Sequence, residues 1–321
     1  MTGGTNKITH NTTANPAENS NMLPALITAL SDSNEKSREV ACVALANFAS
    51  EEENKIPMAD PELGLVQAMV QILNDDWTTM PLGIAACSVL WGLADAVPNR
   101  ITLMIPSLKL VPALVHVLSR EQNTAEYKAQ VCGIVRSLAV VAENKPILGE
   151  LNCGLVGQLI KRLYEPDEYS LREYACAAIS NLVVCLENKI AFSMPHVELY
   201  SALVFVCQHD TGGARIAACA ACHFMACHPA NIVPMCTPEL GLVEALIHVV
   251  STDKVGGDAR SNACSAICHL ASSTENRVRL GGQELGLMPC LVEVLRVEEG
   301  KARAFTCSTI GFLSVSHENQ K

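Results

Sequence analysis

Aromatic residues are scarce in this chain, at 4% of 321 positions, whereas apolar residues of all kinds reach 49%. Any core must therefore be built from Leu, Val, Ile, Ala and Cys. Basic residues are also outnumbered, with 23 Lys and Arg against 33 Asp and Glu, which gives a net charge of −10. A surface that binds nucleic acid needs the opposite bias, so the composition argues against a nucleic-acid partner.

Sequence motifs of catalysis are missing too. The chain has no phosphate-binding glycine loop, no Gly-x-Ser-x-Gly turn and no His-Glu-x-x-His pair. An enzyme needs several reactive groups held together in one cleft, and nothing in the sequence supplies them. We therefore predict no catalytic residues and a protein that is not an enzyme.

Signals for export or membrane attachment are absent as well. Residues 1–20 are polar and lack the apolar stretch of a secretory signal peptide. Neither terminus carries a lipidation motif, and no apolar run approaches the length of a membrane span. The fifteen cysteines then indicate a reducing compartment, where free thiols persist. We expect a cytoplasmic protein, with the nucleus as the alternative, and no insertion into a membrane.

What the sequence has in abundance is repetition. Seven asparagines recur at intervals of 43 to 45 residues, and each follows a cysteine by twelve residues. A fixed period of this length is typical of stacked-repeat solenoids. It predicts a polar tail and degenerate first helix at residues 1–20, then a repeat array over residues 21–321 with units starting near residues 11, 54, 99, 144, 188, 231 and 276. The asparagines are Asn54, Asn99, Asn144, Asn188, Asn231, Asn276 and Asn319, and the cysteines are Cys42, Cys87, Cys132, Cys176, Cys219, Cys264 and Cys307.

Each unit is predicted to contain three helices. After Asn99, a short apolar stretch at residues 101–105 precedes a second helix over residues 110–118 and a long third helix over about residues 125–141. Around Cys132, apolar residues fall at −1, 0, +3, +6 and +7, which is the spacing of one α-helical face and not of a strand. A glycine before the second helix, as in the Glu-Leu-Gly-Leu of residues 62–65, permits a tight bend between two short helices. The repeated cysteines are predicted to pack in the core rather than to react.

This pattern resembles the armadillo repeat, as in the β-catenin and importin-α type of array. The third helix carries Ala-Cys-x-x-Leu-x-x-Leu-Ala followed by Glu-Asn-Lys, and residues 175–189 and 263–277 show it well. The resemblance covers nearly the whole chain and implies an all-α, right-handed superhelical solenoid of about seven three-helix repeats. A HEAT-type array is the alternative, but it has two helices per unit, and the glycine bend argues against it.

The resemblance also implies a function. In armadillo proteins the third helices line a concave groove, so side chains near +1, +4 and +5 from each cysteine are the candidates for holding a ligand. We predict a non-enzymatic scaffold that binds an extended peptide or helical segment of another protein. The alternatives are the substrate-recognition array of a larger assembly such as a ubiquitin ligase, and an importin-like cargo adaptor with a non-standard groove. The candidate groove residues are Asn47, Arg136, Ser137, Asn181, His223, Phe224, His269 and Phe312.

The importin-α alternative is the weaker one. That family places Trp at +1 and Asn at +5 in several successive units. Here every +1 residue is small or aliphatic, and only Asn47 and Asn181 keep the asparagine at +5. Without a row of tryptophans, the lysine side chains of a nuclear-import signal have no indole rings to pack between.

A basic residue stands four positions before the cysteine in six of the seven units, and Gly83 is the exception. Two interpretations are open. These residues form a ladder that grips an acidic, extended partner, or they brace each helix against a carboxylate or carbonyl of the adjoining repeat, which is the more usual role of regular charges in solenoids. The six residues are Arg38, Lys128, Arg172, Arg215, Arg260 and Arg303.

Residues 219–223, Cys-Ala-Ala-Cys-His, spell a haem-attachment motif, and Cys227, His228 and Cys236 follow at spacings that suggest zinc. Cys219 and Cys222 occupy core positions 0 and +3, however, so we predict neither haem nor metal and no cofactor. A redox- or metal-responsive protein built on this cluster is the third functional hypothesis.

The last third helix carries the same apolar face as the others, with Ala304, Cys307, Ile310 and Leu313. Solenoids normally end in a repeat with a polar outer surface. We therefore expect an exposed apolar strip at the C-terminal edge, covered by self-association, by a partner or by further sequence.

Overall fold

The computed structural model describes residues 16–166 and 168–320, and this part of the chain contains helices and no strand. Units 2 to 7 each have a short first helix, a 3-10 turn (two in unit 6), a second helix and a long third helix; unit 1 supplies the last two. The first helices are Glu52–Met58, Val97–Thr102, Asn144–Leu148, Leu186–Phe192, Pro229–Ile232 and Thr274–Gly281. The 3-10 turns are Pro61–Leu63, Pro106–Leu108, Leu151–Cys153, Pro195–Val197, Pro234–Cys236, Pro238–Leu240 and Gln283–Leu285. The second helices are Pro16–Ala29, Leu65–Asn74, Leu110–Ser119, Leu155–Arg162, Leu199–His209, Leu242–Thr252 and Leu287–Val297. The third helices are Glu35–Ser50, Met80–Asp95, Ala125–Leu138, Tyr169–Leu182, Gly212–Ala226, Asp258–Ser272 and Gly300–Ser314.

Third helices of consecutive units pack side by side, and each second helix packs on the third helix of its own unit. The predicted all-α solenoid is confirmed, and three helices per unit exclude the two-helix alternative. The predicted polar tail lies mostly outside the described residues, since residues 1–15 are not among them.

The repeated cysteines lie in the core between these layers. Six of the seven are at most 1% exposed, from Cys42 to Cys264, and all fifteen cysteines of the chain are free thiols. Burial raises the pKa of Cys42 and of Cys132 to about 12, so both remain protonated and unreactive at neutral pH. Cys307 is the exception and is exposed on the last third helix.

The C-terminal apolar strip is narrower than the sequence predicts. Ala304 and Cys307 are exposed and Ile310 is half-buried, but Leu313 is only 2% exposed. The reason is that this helix still packs against the second and first helices of its own unit. The predicted strip therefore reduces to small side chains over most of its length.

The repeated asparagines hold neighbouring units together. The Nδ2 amide of Asn188 donates to the carbonyl of Leu182, at the end of the preceding third helix, and to the carbonyl of Lys145, in the first helix of the preceding unit, at 3.0 and 2.9 Å. The other asparagines from Asn99 onward make the same pair of bonds, and Asn99 to Asn276 are at most 5% exposed. In unit 3 the Asn144 amide donates to the carbonyl of Leu138, and the third helix ends at Leu138 instead of at the predicted residue 141.

The bend before each second helix has the left-handed backbone that the glycines indicate. Gly64 has a φ of 72°, and Gly154, Gly241 and Gly286 are similar. In units 3 and 5 the same position holds Lys109 and Glu198, with φ of 54° and 58°. Side chains at such positions are strained because Cβ crowds the backbone. The geometry of the unit therefore enforces the bend even where the sequence does not favour it.

Replacing Lys109 with glycine should stabilise the protein. We expect Lys109→Gly to raise the free energy of unfolding by about 0.5–1 kcal/mol, because glycine adopts the left-handed conformation without the Cβ clash. Gly64→Ala is the matched control: its added Cβ would meet nothing within 4 Å, so its expected loss of about 1 kcal/mol comes from the backbone alone. Urea unfolding midpoints measure both. An unchanged or lower midpoint for Lys109→Gly would contradict the argument.

Among the described residues, no single helix is both long and apolar enough to cross a membrane. Two pairs of consecutive helices reach that length and apolarity only when taken together, and they are bent by 120° and 118°.

Candidate functional site on the third helices

Counted from the cysteine, positions +1, +4 and +5 lie opposite the core side of each third helix, by helical geometry. We call this surface, over the seven third helices, the third-helix face. Of its 21 residues, three are glycine and only Arg136 carries a permanent charge; the others have small, amide, aromatic, histidine, aliphatic or thiol side chains. The face is therefore suited to shape and hydrogen bonding more than to charge recognition.

The predicted groove residues do not all lie open on this face. Asn47 is exposed, and Arg136, Asn181, His223, Phe224, His269 and Phe312 are half-buried. Ser137 is only 6% exposed, so its selection as a ligand contact is wrong. The third helices of units 2 and 4 pack on both sides of its helix, and its side chain is small. The amide of Asn181 donates to the carbonyl of Arg136 at 3.1 Å, so part of its hydrogen-bonding capacity serves the contact between units.

The middle of the face carries an aromatic and cationic cluster, of which only Arg136 was predicted from the sequence. Trp91, at +4 in unit 2, reaches over unit 3 to meet Tyr174 of unit 4 edge to face, with ring centroids 5.2 Å apart. The Arg136 guanidinium lies 5.2 Å from the centre of the Tyr174 ring. Gly133 makes this possible, because a Cβ there would come within 2.6 Å of the indole ring. Trp91 and Tyr174 are half-buried and keep apolar surface available.

Sequence signals for this cluster were partly present. Trp91 is one of two tryptophans in the chain and stands at a non-core position of a third helix. Tyr174 stands two residues before Cys176, outside the +1, +4 and +5 pattern. Tyr174 meets Trp91 only because the Trp91 side chain extends across unit 3, and the periodicity of the sequence does not predict such a contact.

An open pocket of about 690 Å³ lies between the third helices of units 1 and 2. Half of its ten lining residues are aliphatic, such as Val43, Pro81 and Ile84, and its polar groups are Asn47, Asp95 and two serines. Asn47 is thus the predicted residue that lies in a concave site with both apolar contacts and a hydrogen-bonding amide.

Units 5 and 6 bring together three of the predicted residues. The rings of His223 and His269 are 5.2 Å apart, and that of Phe224 lies 5.0 Å from His223. Burial lowers the pKa of both histidines, and for His223 the nearby His269 and Lys189 lower it further. Both rings are therefore neutral at pH 7. Phe312 lies apart in unit 7, where the Arg277 guanidinium is 5.8 Å from its ring centre.

The basic residues before the cysteines brace the units. Arg172 pairs with Asp210, Arg215 with Asp253 and Arg260 with Glu298, at 2.7, 3.5 and 2.9 Å. In each pair the acid follows the arginine by 38 residues and belongs to the next unit. These arginines and Lys128 are buried, at 5–7% exposure, so they cannot form a ligand-binding ladder. Of the remaining two predicted members, Arg38 is half-buried and Arg303 is exposed.

Gly83, the exception to the basic pattern, has a packing reason. A Cβ there would come within 2.4 Å of the Tyr127 hydroxyl, and the Tyr127 ring fills the space beside the helix. Tyr127 itself is 4% exposed. Unit 2 therefore joins unit 3 at this position by an aromatic contact in place of an ion pair.

Cys219 and Cys222 of the haem-like motif are completely buried. Their thiols face Cys207 in the core, with 3.8 Å between the sulfurs of Cys207 and Cys219. Haem attachment needs accessible thiols, so the motif has no such role in this fold.

The chain matches no family model and no curated protein sequence. Solved structures do resemble it. A structure from work on a phosphorylation switch in the cadherin and β-catenin interaction superposes with a TM-score of 0.77 at 20% identity, covering 94% of this chain and 55% of that one. A designed armadillo repeat protein gives 0.66 at 20% identity, with coverages of 77% and 99%. Another, in complex with the peptide (KR)4, gives 0.53 at 16% identity, with coverages of 91% and 99%.

The chain has the armadillo-repeat fold. The resemblance noted from its sequence motifs is thereby confirmed at the level of fold. At these identities the likeness shows the architecture alone.

Proposed function

We propose that the protein is a non-enzymatic armadillo scaffold whose third-helix face is a groove for an extended peptide segment of another protein. The observation that carries this proposal is the cluster of Trp91, Arg136 and Tyr174, which spans three units and leaves aromatic surface accessible. Half-buried aromatic and arginine side chains of this kind supply most of the affinity in protein interfaces. The peptide complex of a designed armadillo repeat protein supports the same use of the fold.

The chemistry of the face indicates what kind of peptide fits. The face offers amides such as Asn47 and Asn181, aromatic rings and a single permanent charge at Arg136. Amides can bond to the backbone of an extended chain, and the rings and the pocket between units 1 and 2 can hold apolar side chains. We infer a partner segment anchored by apolar or aromatic residues, whose salt-dependent contacts are few and centre on Arg136 and on Asp95 of the pocket. The same surface would serve if the chain were the recognition part of a larger assembly.

A peptide-display selection tests the proposal. Peptides selected on the wild-type protein should bind the Trp91→Ala variant about 30-fold more weakly, because an aromatic anchor at the centre of an interface contributes roughly 2 kcal/mol. Trp77→Ala is the matched control, since Trp77 lies in a loop before the third helix of unit 2 and is 90% exposed. It should leave the affinity unchanged.

Fluorescence gives a second readout of the same experiment. In a Trp77→Phe background, Trp91 is the remaining tryptophan, so its emission should shift when a selected peptide binds. Melting temperature controls for folding. If selected peptides bind Trp91→Ala as tightly as wild type, or if no peptide is enriched over an unrelated control protein, the proposed groove is wrong.

A further inference from the structure

Three side chains with metal-binding atoms converge between the third helices of units 5 and 6. His223 and Cys227 lie one turn apart at the end of the unit 5 helix, and His269 comes from the unit 6 helix. One ligand atom of each lies within 4.8 Å of the other two. It is the one group of this kind found within residues 16–166 and 168–320.

The spacing suits a tetrahedral ion. The Cys227 sulfur and the Nε2 atom of His269 are 3.5 Å apart. Two tetrahedral zinc ligands, with a Zn–S bond of about 2.3 Å and a Zn–N bond of about 2.05 Å, would be separated by about 3.6 Å. An ion could therefore bind both atoms without displacing either helix.

The surroundings orient the ligands as second-sphere groups do in metal sites. The Ser265 hydroxyl lies 2.8 Å from Nδ1 of His223 and fixes the orientation of that ring. When Ser265 accepts the Nδ1 proton, Nε2 keeps the lone pair that a metal needs. The thiol of Cys227 is accessible, because the residue is exposed, whereas Cys219 and Cys222 are completely buried.

We propose that His223, Cys227 and His269 form a zinc-binding site on the third-helix face. Thiolate and imidazole are the ligands that zinc prefers. On binding, the Cys227 thiol loses its proton to the solvent and its sulfur bonds to the ion, so one proton is released per ion bound. Three protein ligands leave a fourth position, which a water molecule or a donor atom from a bound segment would fill. This site does not depend on the proposed peptide binding.

Residue spacing alone does not reveal this set. Spacing suggests zinc only for Cys219 to Cys236, and no metal is predicted there because Cys219 and Cys222 occupy core positions. His269 lies outside that stretch, 42 residues beyond Cys227. That distance is about one repeat, so the stacking of units places the two residues side by side.

Cobalt binding to the reduced, chelator-treated full chain tests the site. We expect one Co²⁺ per chain, with the visible bands of a tetrahedral ion and a thiolate-to-metal charge-transfer band, and full displacement by Zn²⁺. Cys227→Ser should abolish the charge-transfer band and weaken binding by more than ~100-fold, beyond the effect of losing an outer-sphere group. His269→Asn should weaken binding and keep the band.

Cys153→Ser and His248→Gln are the matched controls, since Cys153 is half-buried in unit 4, His248 is exposed on a second helix, and neither belongs to the cluster. Both should bind as wild type. Far-UV circular dichroism checks that every variant is folded. Absence of stoichiometric binding, or a charge-transfer band that persists in Cys227→Ser, would overturn the zinc site.

Discussion

Replacing Asp210 with asparagine is expected to destabilise the protein by about 3–5 kcal/mol. The Asp210 side chain is completely buried, and its two carboxylate oxygens accept bonds from Nε and Nη2 of Arg172 at 2.7 and 2.8 Å. Arg172 is 5% exposed. Asparagine keeps the shape but removes the negative charge, so the guanidinium stays buried without its counterion, and that is the costly change.

The next pair along the solenoid is the matched control for Asp210. Asp253 occupies the corresponding position beside Arg215, but the distance is 3.5 Å and the Asp253 side chain is 20% exposed. Asp253→Asn should therefore cost about 1 kcal/mol or less. The double variant Arg172→Met with Asp210→Leu should recover most of the lost stability, because it removes both charges together. Urea unfolding of all three variants measures this; equal effects of Asp210→Asn and Asp253→Asn would contradict the role of burial.

The sequence predicts the solenoid well because each unit repeats the same pattern of apolar residues and turn residues. The cysteine, the apolar residues around it and the glycine bend recur in register, so each helix is indicated several times over. Where one unit departs from the pattern, as at Lys109, the neighbouring contacts still impose the conformation. Helix ends are less predictable. The carbonyl of Leu138 accepts a bond from the Asn144 amide six residues further on, and apolar periodicity gives no sign of that bond.

The site was less predictable, because it depends on contacts between units. Periodicity indicates that Arg136, Phe224 and His269 lie outside the core, but it does not show that Trp91 crosses a unit to meet Tyr174. It also does not decide between a ligand-binding ladder and bracing for the basic residues. That choice depends on an acid 38 residues further on, which becomes a neighbour only when the units stack.

Replacing one of the repeated asparagines, in the variant Asn188→Asp, should also strongly lower the free energy of unfolding. The Asn188 amide is 3% exposed and is the donor to two carbonyl oxygens, those of Leu182 and Lys145. A carboxylate cannot donate there and would face both oxygens with a buried charge. We expect a loss of at least about 3 kcal/mol. Asn188→Ala should cost about 1–3 kcal/mol, because it removes two buried hydrogen bonds while the carbonyls of Leu182 and Lys145 each keep one backbone N–H partner.

The loss should be concentrated at the junction of units 4 and 5, because units in a solenoid are coupled mainly to their nearest neighbours. Amide hydrogen exchange should therefore speed up around residues 138–192, while units 1 and 2 and unit 7 keep wild-type protection. Asn54→Ala is the matched control: Asn54 bonds to the carbonyl of Phe48 in its unit and is half-buried, so its loss should be about half as large. Uniformly faster exchange along the whole chain, or equal losses for Asn54→Ala and Asn188→Ala, would show that the asparagines do not act as junctions between units.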